Sequence, residues 1–206
     1  GPADLFVTPE TSEEVRAVVD MCRSEEIDCH IIGNGSNLLV SDRGVRGVVV
    51  QIAKAMNKIE SNGEQIRAQA GALLSEVAAH ALKDGLAGFE FAAGIPGTLG
   101  GACVMNAGAY GGEMKDVLYE VTVLTPQGEF LVLKEDELEL GYRTSVVARK
   151  GYIVLEAVIR LKKGDEEEIR RQMEDLRDRR ISKQPLEYPS AGSTFKRPEG
   201  YFAGKL

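Results

Sequence analysis

The sequence predicts an α+β protein with two lobes and the beginning of a further domain. Three observations support this fold class. Amphipathic helices alternate with β-branched strands up to about residue 162. The 23 glycines are clustered instead of evenly spread, and a strongly charged helical segment begins at residue 163. We therefore predict one lobe at 1–53, a second at 54–162, and the start of a third unit at 163–206.

The first lobe is predicted to open as a β-α-β unit. A capping-box pattern begins at Thr11, and apolar residues then recur at helical spacing, which predicts a helix over 11–22. The segments "CHII" at 29–32 and "GVVVQI" at 47–52 have the composition of strands. The unit ends near residue 53.

The second lobe is predicted to mix strands and helices. "QIRAQA" at 65–70 alternates like a half-buried strand, and 73–85 has a helical apolar face that ends at a glycine. A hairpin is expected around residues 126–128, and "YIVLEAVIRL" at 152–161 predicts a long strand. The helix after 163 carries a narrow apolar stripe, formed by Ile169, Met173 and Leu176.

Composition and charge exclude several classes of protein. The net charge of −7 argues against a nucleic-acid-binding surface, and no apolar run approaches the roughly 18 residues that cross a bilayer. No signal peptide is recognised at the start. The three cysteines, Cys22, Cys29 and Cys103, form no CxxC pair, so neither a metal site nor a disulfide framework is predicted. We expect a monomer in a reducing cytoplasm.

Two glycine-rich stretches are the main candidates for binding. "IIGNGSNLLVS" at 31–41 follows a strand, and such a loop can direct successive backbone N–H groups at an anion such as pyrophosphate. It fails the GxGxxG fingerprint because position 38 is Leu, and a simple tight turn explains it equally well.

The second stretch, 88–113, contains eight glycines and almost no charge. We interpret it as a loop whose amides need an outside partner, which a large flat cofactor carrying a diphosphate would provide. The alternative is a buried, glycine-rich structural corner.

A serine close to the end of the chain is a further candidate. Ser193 lies in "YPSAGSTFKRP" at 188–198, between a glycine and two cations, with no histidine nearby in sequence. His30 and His80 are expected to be structural. From the residues alone, a capping role for Ser193 is the simpler interpretation.

Four motifs together resemble a known family. "GNGSNLLV", "GFEFAAGIPGTLGGACVMNAGAYGGE", "YRTS" and "SAGSTFKRP" occur in this order in the UDP-N-acetylenolpyruvoylglucosamine reductases. "GNGSN" alone is typical of the wider group of FAD-binding flavoproteins that includes vanillyl-alcohol-oxidase-type enzymes. The resemblance covers the whole chain and implies a two-subdomain FAD-binding fold, with a small β-α-β lobe, a larger α+β lobe and the start of a substrate-binding domain.

The resemblance also implies the residues of the site. Arg143 and Ser193 would be catalytic, and the substrate would contact Tyr142, Arg143, Lys196 and Arg197. The residues implied at FAD are Gly33, Asn34, Gly35, Ser36, Asn37, Leu38, Gly94, Ile95, Pro96, Gly97, Thr98, Gly100, Gly101, Asn106, Ala107 and Ile153. The family's third catalytic residue is a glutamate near the C-terminus, and this chain stops before it, so we expect a chain truncated at both ends.

The implied function is reduction of a UDP-sugar enolpyruvyl ether to UDP-N-acetylmuramate, in peptidoglycan precursor synthesis, with FAD as cofactor and NADPH as reductant. Two alternatives stay open. One is an FAD-dependent oxidase of the same fold, for which Cys103 is the one candidate covalent anchor in the glycine stretches. The other is a non-catalytic nucleotide-binding module.

Overall fold

The protein contains a parallel sheet and a larger antiparallel sheet, with helices packed against both. The structure is a computed structural model that describes residues 1–183, 195, 196, 198 and 200. Its helices are α1 (Ser12–Ser24), α2 (Leu74–Lys83), α3 (Leu99–Met105), α4 (Val146–Lys150) and α5 (Glu166–Lys183). Its strands are β1 (Ala3–Val7), β2 (Cys29–Ile32), β3 (Val45–Gln51), β4 (Ile59–Asn62), β5 (Gln65–Gln69), β6 (Leu86–Ala87), β7 (Gly108–Ala109), β8 (Gly112–Glu113), β9 (Leu118–Leu124), β10 (Phe130–Lys134), β11 (Ile153–Arg160) and β12 (Lys162–Lys163).

The first lobe is the predicted β-α-β unit. Its three parallel strands run in the order β1-β3-β2, and α1 connects β1 to β2. The cap of α1 is confirmed, since Thr11 Oγ1 accepts a hydrogen bond from the Glu14 N–H at 3.1 Å. Strand β1 gives a weak sequence signal because it lies at the sheet edge, with Leu5 and Phe6 half exposed.

The second lobe is an antiparallel sheet in the order β10-β9-β11-β5-β4. The hairpin around 126–128 is confirmed as β9 and β10, and the long strand β11 is confirmed as an antiparallel neighbour of β9, with two register shifts along the pair. One face of the sheet contributes to the main core. On the other face, Arg67 pairs with Glu120 and Glu156, and Glu120 also pairs with Lys134. These cross-strand charges cover Val158, which is only 3% exposed.

The prediction that 88–113 is a single loop was wrong. The segment contains α3, the short hairpin β7-β8 and a 3₁₀ turn, Glu90–Ala92. Its amides find partners within the protein: the Leu99 and Gly100 N–H groups donate to Ala72 O and Ala70 O, both at 2.8 Å. A Cβ on Gly100 would lie 2.9 Å from Ala70 Cβ, so the glycine is what allows α3 to approach the end of β5 so closely.

Helix α5 packs against the second lobe. Ile169 is 3% exposed and Met173 contacts the main core, while the opposite face carries ion pairs three or four residues apart. The predicted helix after 163 is therefore confirmed, and the domain limits at 53 and 162 stay a prediction. In the part of the chain that the structure describes, no helix is both long and apolar enough to span a membrane.

Candidate active site

The two glycine-rich stretches identified in the sequence meet at one place. We define the first glycine loop as residues 33–40 and the second glycine loop as 94–98. Ser36 Oγ donates a hydrogen bond to Pro96 O at 2.9 Å. A Cβ on Gly33 would lie 2.3 Å from Thr98 Oγ1, so the loops are in direct contact and a side chain at 33 would push them apart.

The first glycine loop presents backbone donors to solvent. Among the described residues, Leu38 has the only bonded N–H between 34 and 40, to Gly35 O at 3.3 Å. Gly35 has a φ of +70°, and a Cβ there would meet no protein atom within 4 Å. An exposed turn with unbonded N–H groups and a left-handed glycine is the backbone arrangement of an anion nest.

Apolar side chains continue from this nest. Leu38 is 56% exposed and Leu39 is fully exposed, and Val40 follows at 41%. Unpaired donors beside exposed apolar side chains suit a ligand with a diphosphate and a large apolar part. FAD has this chemistry, and the residues present fit it.

The residues predicted along the second loop differ in what they can offer. Gly94, Pro96 and Gly101 are exposed, so their backbone is accessible to a ligand. Thr98 is 3% exposed and packs between the loops, and Gly100 is buried against Ala70. Both therefore support the shape of the site from behind. Ile95, Ala107 and Ile153 are partly buried against the main core.

Asn106 ends helix α3 and connects three segments. It is 1% exposed and has a φ of +43°. Its Nδ2 donates to Glu113 Oε2 at 2.7 Å and to Gly141 O at 3.0 Å, and its Oδ1 accepts from the Lys115 N–H at 2.9 Å. Both N–H donors of its side chain are thus occupied, so the side chain has no free donor for FAD in this geometry. This connecting role was not predicted, because its partners lie up to 35 residues away.

Arg143 is held in a strained turn. Gly141 and Thr144 exchange two backbone hydrogen bonds at 3.0 and 3.2 Å, and Arg143 between them has a φ of +56°. A left-handed conformation at a bulky residue costs roughly 1 to 3 kcal/mol and is often found at functional sites. The Asn106 contact to Gly141 connects this turn to the end of α3, whose other end begins beside the second glycine loop.

The Arg143 guanidinium is partly buried and only weakly engaged. Its Nη2 lies 3.4 Å from Gly108 O, and its Cζ lies 5.5 Å from the centre of the Tyr142 ring. No carboxylate of the described residues lies within 4.0 Å of it. A guanidinium in this position can receive a ligand's carboxylate without first breaking an ion pair.

The other motif residues are placed as follows. Ser145, the serine of "YRTS", is fully buried, accepts from the Ala148 N–H at 3.1 Å and donates to Val104 O at 2.8 Å, so it holds α4 against α3. Lys196 is exposed. Ser193 and Arg197 lie outside the described residues, so their predicted roles stay predictions.

The cysteine and histidine side chains offer little to other chemistries. Cys103 is 1% exposed, and burial raises the pKa of its thiol to about 12, which keeps it protonated and unreactive at neutral pH. His80 Nε2 contacts Ser61 Oγ at 2.8 Å and Asp84 Oδ2 at 3.4 Å. Because the carboxylate faces the same ring nitrogen as the serine, it cannot orient the imidazole as a triad aspartate does.

Comparison with known proteins agrees with this geometry. Residues 3–134 match the family described as FAD binding domain. The chain is 54% identical to the UDP-N-acetylenolpyruvoylglucosamine reductase of Clostridium novyi (strain NT) over all 206 residues, which cover 67% of that protein. It is 52% identical to the reductase of the same name from Clostridioides difficile (strain 630), covering 68% of it.

A solved structure supports the same assignment. The crystal structure of UDP-N-acetylenolpyruvylglucosamine reductase from Thermus caldophilus superposes with a TM-score of 0.83 at 38% identity, covering 97% of this chain and 70% of that one. Sequence and fold therefore agree along nearly the whole chain, and the protein belongs to the UDP-N-acetylenolpyruvoylglucosamine reductase family of FAD-binding oxidoreductases.

Proposed function

We propose that this protein reduces UDP-N-acetylglucosamine enolpyruvate to UDP-N-acetylmuramate in the cytoplasm, with NADPH as the reductant, in peptidoglycan precursor synthesis. The observation that carries the proposal is Arg143: a partly buried guanidinium, without a described carboxylate partner, in a strained turn connected through Asn106 to the helix beside the glycine loops. When bound, FAD supplies hydride transfer between NADPH and the methylene carbon of the enolpyruvyl group.

Arg143 acts on the substrate carboxylate. As hydride reaches the methylene carbon, negative charge develops on the adjacent carbon and its carboxylate. A planar guanidinium matches a carboxylate with two parallel hydrogen bonds and stays charged at all relevant pH values. Stabilising charge where it develops is commonly the largest contribution to catalysis. The turn conformation keeps the guanidinium in place before the charge appears.

Ser193 completes the reaction by donating a proton to the carbon next to the carboxylate. A serine hydroxyl is a weak acid, so its alkoxide needs nearby positive charge, which we assign to Lys196 and Arg197. The atoms then balance: hydride adds to one carbon of the double bond and a proton adds to the other.

The two half-reactions test these roles separately. In Arg143→Lys, flavin reduction by NADPH should be near normal, while flavin reoxidation by the enolpyruvyl substrate should slow by about 10²-fold or more. Arg149→Lys is the matched control, since Arg149 lies on the nearby α4, is exposed and pairs with Glu139 at the surface. Stopped-flow absorbance follows both steps. Equal slowing of both would show that Arg143 is structural.

Ser193→Ala should bind FAD and be reduced normally, but its substrate half-reaction should fall about 10²- to 10⁴-fold. If Ser193 only caps a helix or turn, its replacement by Ala would instead lower stability by about 1 kcal/mol and leave the substrate half-reaction nearly intact. Measuring the melting temperature and the substrate half-reaction on the same preparation separates these outcomes. Fast reoxidation of the reduced flavin by oxygen alone would favour the oxidase alternative.

A further inference from the structure

Arg180, in the last turn of α5, lies against the start of the second glycine loop. A Cβ built on Gly94 would lie 3.4 Å from Arg180 Nε and 3.5 Å from its Cζ. The guanidinium therefore lies over Gly94, at ordinary van der Waals distance from the point where a side chain would begin. None of the sequence motifs pointed to Arg180, because the contact joins segments 86 residues apart.

The Nε of Arg180 has an unsatisfied hydrogen bond. Across the described residues, it is the one buried side-chain nitrogen or oxygen without a partner. Its neighbours on α5 behave differently: Arg170 pairs with Glu166 at 2.5 Å, and Arg179 pairs with Asp175 at 2.7 Å, both on the exposed side of the helix. A buried polar atom of a charged group is costly to leave unpaired, so its placement needs an explanation.

A helix-capping role does not provide that explanation. A cation in the last turn of a helix interacts favourably with the helix dipole. Arg179 can do this equally well from the solvent-exposed surface, without burying an N–H group. The position of Arg180 over Gly94 points instead to a ligand on the glycine loops.

We propose that Arg180 binds an anionic group of a ligand held by the two glycine loops, and that this group is a diphosphate. The guanidinium is planar and presents several donors that match phosphate oxygens. The Nε–H and one Nη–H of a guanidinium can bind two oxygens of one phosphate side by side, so a diphosphate here would provide the partner that Nε lacks. Unlike Arg143, which serves the reacting end of the substrate, Arg180 acts as a binding residue.

Two molecules could supply this diphosphate: FAD and the UDP-sugar. The FAD assignment rests on the family, and the UDP-sugar assignment rests on the proposed function. The two sources share one recognition chemistry, and separate titrations distinguish them. FAD is titrated into the apoprotein by fluorescence quenching, and UDP is titrated into the FAD-loaded protein by calorimetry.

Arg180→Met and Arg180→Gln are the test variants, with Arg179→Gln as the matched control that removes the same charge one residue away. We expect both Arg180 variants to weaken FAD or UDP binding by about 10- to 100-fold, the size typical of a lost charge-assisted contact. Arg179→Gln should bind both as the wild type does. Arg180→Met should retain or raise the melting temperature, because it removes an unpaired buried N–H. If Arg180→Gln fails to fold, the FAD and UDP affinities of Arg180→Met alone test the proposal.

The outcomes are distinct. A loss confined to FAD, or one confined to UDP, supports the proposal and identifies the source. Wild-type affinity of a folded Arg180 variant for both ligands would overturn the role of Arg180 and leave the proposed function intact. A lower melting temperature with unchanged affinities would assign Arg180 to packing. A wild-type protein that binds neither FAD nor UDP would overturn both proposals together.

Discussion

Replacing Asn106 with Asp should separate the hydrogen bonds of this residue from its shape. Asp is isosteric, tolerates the left-handed backbone that Asn106 adopts, and keeps the oxygen that accepts from the Lys115 N–H. It replaces the Nδ2 donor by a second oxygen. That oxygen would lie about where Nδ2 now is, 2.7 Å from Glu113 Oε2 and 3.0 Å from Gly141 O.

The magnitude follows from these two contacts. One lost bond is to a carboxylate and the other to a backbone carbonyl, together about 2 to 4 kcal/mol for a buried site. Repulsion between the two carboxylates adds to this until one of them takes up a proton. We expect the free energy of unfolding to fall by about 3 to 5 kcal/mol at pH 8.

The loss should shrink as the pH is lowered. In the variant, the paired carboxylates hold a proton more tightly in the folded state than in the unfolded state, so their folded pKa is raised. A raised carboxyl pKa makes the folded state bind more protons, and stability then increases as pH falls toward that pKa. Asn106→Ala removes all three hydrogen bonds without adding a charge, so its loss should vary much less with pH.

Urea unfolding followed by circular dichroism at pH 8 and pH 5.5 measures both effects. Asn62→Asp is the matched control, because Asn62 lies exposed at the end of β4 and the added charge meets solvent there. If Asn106→Asp were within about 1 kcal/mol of the wild type at pH 8, the role assigned to Asn106 in connecting α3 to the Arg143 turn would be wrong.

Two further predictions concern the nest and the sheet. Gly35→Val and Gly63→Val both place a branched side chain at a positive φ with open space around it, so each variant should lose about 1 to 2 kcal/mol of stability. Only Gly35→Val should also lose bound FAD. Equal flavin content in the two purified variants would contradict the anion nest. The pKa of the Glu120 carboxyl is lowered by hydrogen bonding to Lys134 and by Arg67, so its contribution to stability is present above its unfolded pKa of about 4.3 and is lost as pH falls. Glu120→Gln should therefore be less stable at pH 7 and approach the wild type in acid, and parallel curves of stability against pH would refute this.

The features of the fold and of the site that were predicted from the sequence follow from interactions between residues close together in the chain. The α1 cap at Thr11 is set by residues three positions apart, and strand alternation is visible within a single segment. The first glycine loop follows β2 directly, so its backbone chemistry could be anticipated from the order of residues. The family motifs likewise identified Arg143 as a candidate catalytic residue, which stays a prediction, and family membership is confirmed.

The helix inside the second glycine stretch could not be predicted from its own residues. Glycine disfavours helices in isolation, and only the strand end at Ala70 and Ala72 supplies partners for the first amides of α3. Packing against a neighbouring element therefore overrides local propensity here.

The sequence by itself determined six of the eight strands in the two main sheets, three of the five helices that the structure describes, and the family, and it located the first glycine loop as a candidate anion nest. The tertiary structure alone decided that Asn106 holds the Arg143 turn through a carbonyl 35 residues away, and that Arg180 packs on Gly94. The physical reason is that a hydrogen bond or a close contact depends on distance in space. A side chain's partners therefore become defined only after the sheet and helices have brought distant segments of the chain together.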